Sequence, residues 1–182
     1  MSTLSQGRGI RRISVDAMLI ALAMMLSYLE VLLPLEALIP IPGFRLGLAN
    51  IVVMLTFCLI SPLDAALVSG ARITLMGLLF GSATSLYFSA LGGLFAFLSL
   101  LLMKYFGKGC SFLGVSVISA AAHNAGQILA ASTLFGFSLA TTYLPLLLVA
   151  STIYGGIVGI LVNLLYPRLQ RLPLRWGAGG PP

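Results

Sequence analysis

Five side chains able to bind or react stand where this sequence is otherwise apolar: Glu30, Arg72, His123, Asn124 and Gln127. On insertion scales a central Arg or Asp costs about 2.5–3.5 kcal/mol in a bilayer, so such residues inside apolar runs call for a reason. Arginine favours an anionic group such as phosphate or carboxylate. His123 and Gln127, four apart, share one helical face with Asn124 beside them, and their groups can hydrogen-bond a ring or a carbonyl. Arg45 and Asn50 stand where a second apolar run begins, and Tyr143 where the last one does. No metal site or cofactor is expected, because one histidine cannot supply the usual nitrogen and sulfur ligands. Cys58 and Cys110 read as unbridged, inert thiols.

The elements that must position these groups are membrane helices. Of 182 residues, 59% are hydrophobic and 8% charged, against roughly 25% charged in a soluble domain that must face water. Ten Lys or Arg and four Asp or Glu cannot coat a globule of this size. The net charge of +6 would suit a nucleic acid, but the basic residues flank apolar runs and form no face with interleaved aromatics. Nucleic acid is excluded as a partner, and a lipid bilayer is expected.

A crossing helix needs about 20 residues. Proline, glycine and serine breaks then divide the chain into six spans, at Val15–Leu33, Leu46–Ile60, Leu63–Phe80, Ser85–Phe106, Ser111–Ala131 and Leu144–Tyr166. The second is short. The first carries Tyr28 and Glu30 and lacks a convincing cleavage site, so it reads as a retained helix. The fold class is therefore all-α and polytopic, with a tail at 1–13, a six-helix transmembrane domain at 14–168 and a basic tail at 169–182. Arg8, Arg11, Arg12, Lys104, Lys108, Arg168, Arg171 and Arg175 fall on one side of such a layout, eight of the ten basic residues. That side is expected to be cytoplasmic, with both termini inside at the cell membrane.

This orientation places Glu30, Arg45, Asn50, Arg72, His123, Asn124, Gln127 and Tyr143 in or near the outer half. Two readings of the group stand side by side. A pocket open to the outside would gather polar residues from several spans in one leaflet. A structural network would pair Arg72 with Glu30 or helix carbonyls and use His123 to bridge helices. Small residues recur at close-packing spacing, in Ala17…Ala21, Gly77…Gly81 and Gly155-Gly156…Gly159. These suit packing within the chain, or a dimer face.

The first helix reads Ser14-Val-Asp16-Ala17-Met-Leu-Ile-Ala21-Leu-Ala; a proline-rich loop and Arg45-Leu-Gly-Leu-Ala-Asn50 follow. With the stretches Ser69-Gly-Ala-Arg-Ile73 and Ala122-His123-Asn124-Ala-Gly126-Gln127, this resembles the substrate-binding S-components of ECF-type vitamin transporters over roughly 13–168. Within that group it is most similar to the Gx transporter family, often labelled heptaprenyl diphosphate synthase component I. The resemblance implies an S-component-like bundle that captures a small, anionic micronutrient such as a vitamin, flavin or quinone precursor from outside. It also implies that Ala17 and Ala21 form the AxxxA motif that docks on an ECF-type coupling subunit, with separate ATPases, since this chain has no GxxxxGK[ST] loop. The synthase label implies the alternative: a noncatalytic membrane subunit associated with isoprenoid-quinone synthesis or a membrane redox assembly. Catalysis is not expected, because the two aspartates, Asp16 and Asp64, form no aspartate-rich motif of the kind that holds Mg²⁺ and diphosphate.

Overall fold

The computed structural model describes residues 2–32, 47–106 and 109–171, with 2–11, 138–141 and 143 in backbone only. These residues form six helices and no strand: α1 (Ser2–Leu32), α2 (Asn50–Leu59), α3 (Pro62–Phe80), α4 (Ala83–Phe106), α5 (Phe112–Phe135) and α6 (Phe137–Leu169). Five are long and apolar enough to cross a membrane, through Arg12–Leu32, Pro62–Phe80, Ala83–Phe106, Phe112–Phe135 and Leu144–Leu169. Their outward faces carry large apolar side chains such as Met18, Met25, Leu78, Leu102, Val149 and Leu164. In water such a surface would be untenable; in lipid it is the favourable one.

The second expected span needs correction. The chain from Gly47 to Ala49 is a turn, and α2 has only ten residues, about 15 Å at 1.5 Å per residue. That is half of a hydrocarbon core about 30 Å thick. Gly47 opens the turn at φ +85°, a backbone conformation that side chains oppose. In α2, Val52, Val53, Met54, Leu55 and Thr56 are buried in succession, as a helix apolar on all sides requires. It packs against α1, α3, α4 and α6.

The helices alternate in direction where turns are tight. Gly155 and Gly159 of α6 face Val117 and Leu113 of α5, so rising numbers on one helix meet falling numbers on the other. A Cβ on Gly155 would lie 2.7 Å from Val117 Cα, and one on Gly159 2.6 Å from Leu113 Cα. This small-residue face is therefore filled by the chain's own α5. A single residue, Gly136 at φ +95°, reverses the chain between α5 and α6. The turn before α3 is fixed by its cap: Ser61 Oγ accepts from Asp64 N–H at 3.2 Å and donates to Asp64 Oδ2 at 2.6 Å, with Pro62 in the first turn.

Arg12, Asp64, Lys104 and Arg168 consequently share one end of the bundle, here the basic end. There Arg12 donates from Nη2 (2.6 Å) and Nε (2.9 Å) to Asp64 Oδ1, pinning α1 alongside α3. Asp16, one turn further along α1, lies close enough to interact with both charges. The two aspartates thus meet in space, although Asp64 has one oxygen committed to Arg12 and the other to Ser61.

Candidate functional site

Helix lengths place the polar residues at a common height. Arg72 lies ten residues past Pro62 and His123 eleven past Phe112, about 15 and 16 Å from the basic end at the helical rise. The amino end of α2 reaches the same level, because α2 ends at the basic-end turn and is about 15 Å long. From there the cluster extends away from the basic end toward Ser27 and Glu30 of α1.

Arg72 is 3% exposed and donates from Nη1 to Ser27 Oγ at 3.1 Å, joining α3 to α1. Glu30, one turn beyond Ser27 and 2% exposed, accepts from the backbone N–H of Leu48 in the turn that opens α2. On α5, Gln127 and His123 are both buried, with Gln127 Nε2 2.9 Å from His123 Nε2. Arg72 is near enough to His123 for their charges to interact. Asn50 completes the ring: a Cβ on Gly47 would meet Asn50 Nδ2 at 2.7 Å and His123 Nε2 at 3.5 Å. The turn at Gly47, the start of α2 and the imidazole are therefore neighbours.

Asn124 takes another direction. Its Nδ2 donates to the Leu147 carbonyl of α6 at 2.6 Å, a buried strut between α5 and α6. Neighbouring positions on a helix differ by about 100°, so Asn124 turns from the face that His123 and Gln127 share. Arg45 lies outside the described residues, as does the side chain of Tyr143. Ala17 and Ala21 are exposed along α1, on its outward face.

Two contributors escaped sequence reading. Ser27 carries no pattern that marks it, yet it is fully buried and holds Arg72. Gly92 of α4 sits directly under the imidazole, where a Cβ would lie 2.7 Å from His123 Cε1 and 2.9 Å from Nδ1. Among the described residues no group of three or more His, Cys, Asp or Glu could hold a metal ion. The cluster can instead offer a guanidinium, a carboxylate, an imidazole and amides within a largely water-free interior, where each hydrogen bond is strengthened.

Fold and composition define the class: a multi-pass membrane protein whose helices enclose a buried polar cluster. The sequence pattern of the heptaprenyl diphosphate synthase component I family matches residues 19–165, and the chain belongs to that family. Among curated proteins and among solved structures, nothing matches the chain.

Proposed function

We propose that this chain is a noncatalytic, membrane-embedded binding subunit for micronutrient uptake, capturing a small anionic ligand from the face opposite its basic end. The observation that carries this reading is the buried set Arg72, Ser27, Glu30, His123 and Gln127, gathered from three helices in one half of the bundle. A half-length helix whose amino end reaches such a set is a device by which transporters hold anionic groups. The basic end, rich in Lys and Arg, is cytoplasmic in this reading.

The test is to purify the chain in mild detergent and identify any bound small molecule by absorbance and mass spectrometry. A stoichiometric vitamin, flavin or similar anion supports capture; a chain that is empty even after exposure to candidate nutrients argues against it. The family description favours one second reading, a noncatalytic partner in isoprenoid synthesis, and a bound prenyl diphosphate would select it.

Uptake also requires an energising partner. The exposed Ala17 and Ala21 give α1 a small-residue strip on which a coupling subunit's helix can approach closely. Ala17→Trp or Ala21→Trp is expected to abolish co-purification with such a subunit and to leave ligand binding unchanged. Recovery of the intact complex from either variant would reject this docking face.

A further inference from the structure

We infer that Gly92 and Gln127 are positioning residues that hold His123 as one fixed tautomer, protonated on Nδ1 and accepting at Nε2. The use of this imidazole by a ligand rests on the capture role proposed above; the tautomer itself does not.

Gly92 fixes the plane. A Cβ there would lie 2.7, 2.9 and 3.0 Å from Cε1, Nδ1 and Nε2 of His123, so the ring lies close over the backbone of α4 at this residue. Real Cβ contacts do not reach those distances, hence any side chain at 92 must displace the ring. The neighbouring approach of α5 to α4 is equally tight, since a Cβ on Gly126 would meet Leu91 O at 2.4 Å. With both backbones fixed, the imidazole has little freedom to swing.

Gln127 fixes the protons. Its Nε2, one turn along the same face, stands 2.9 Å from His123 Nε2. An amide nitrogen is a donor only, so the ring nitrogen opposite it must be the acceptor and the ring proton resides on Nδ1. That edge of the ring faces the Gly92 backbone. The pair is therefore preset in one protonation pattern, with no reorganisation of the ring needed when a ligand arrives.

His123 is the chain's sole histidine, so its ring nitrogens can be observed alone. The experiment is nitrogen-15 NMR of the full chain labelled only at histidine, in lipid nanodiscs. The wild type is expected to show one protonated nitrogen, assigned to Nδ1, and one unprotonated nitrogen, assigned to Nε2. Gly92→Ala and Gln127→Ala are each expected to lose this single form and give a mixture. A wild-type spectrum with mixed tautomers, or with the proton on Nε2, would overturn the inference whether or not the variants fold. Folded variants that both keep the wild-type spectrum would overturn it as well. The expected spectra in a chain that binds no small anion would leave the tautomer standing and remove the capture reading.

Discussion

On the proposed capture role, Arg72→Met is expected to weaken binding of a small anion by roughly ten- to 150-fold, while the chain still inserts and folds. Hydrogen bonds to charged groups carry about 1.5–3 kcal/mol, which corresponds to that range of affinity. The guanidinium occupies the level where α2 begins, and its Nη1 donates to Ser27, linking helices that Arg12 and Asp64 already hold together at the basic end. Methionine keeps most of the apolar stem, and Ser27 can turn its hydroxyl to a carbonyl of its own helix. Replacing a whole buried ion pair by apolar residues is often neutral for stability, whereas removing one charge from a pair is destabilising, so stability has to be read beside affinity. Binding and thermal unfolding of the variant, measured together, decide the matter. Full ligand occupancy with a collapsed melting temperature would make Arg72 a structural tether instead.

Gly126→Ala is expected to be the most destabilising small substitution in the bundle, at about 3 kcal/mol, the upper part of the usual overpacking range. The new Cβ would stand 2.4 Å from Leu91 O and 2.7 Å from Leu91 C. Those are backbone atoms, so no rotamer change relieves the clash and α4 must part from α5. Gly155→Ala meets Val117 Cα at 2.7 Å and is expected to behave similarly, whereas its neighbour Gly156 has nothing within 4 Å. Gly156→Ala should therefore be neutral or stabilising by up to about 1 kcal/mol through helix propensity. Thermal unfolding of the three variants in one detergent checks the order. Equal melting temperatures for Gly155→Ala and Gly156→Ala would show that the helix seam is looser than described.

Much of the fold is legible because lipid imposes length and proline imposes ends. The third and fourth spans were expected at Leu63–Phe80 and Ser85–Phe106, and helices occur at Pro62–Phe80 and Ala83–Phe106. The reading stops short at hydroxyl-rich stretches. Ser132 and Thr133 look like loop residues, yet they bond back to the Ile128 and Ala130 carbonyls and α5 runs on to Phe135. The second span was overdrawn because apolar residues alone do not report the turn at Gly47. Within the candidate site, the His123–Gln127 pair is legible from its spacing of four. The Ser27–Arg72 bond is not, since 45 residues separate its partners. Nor is Gly92, because what a missing side chain admits depends on the helix opposite.

The shortness of α2 bears on biosynthesis. A helix of ten residues is too short to cross a bilayer as an independent segment, while the nineteen-residue α3 is long enough. The Ser61-Pro62 turn with its Asp64 cap therefore makes α2 and α3 one inserting hairpin, and α3 carries its smaller companion in. How deep Asn50 comes to rest is then set by counting residues back from that turn. Lengthening or shortening α2 by one turn would move its amino end by about 5.4 Å relative to Arg72, which makes the length of this helix a ruler for where the polar cluster closes.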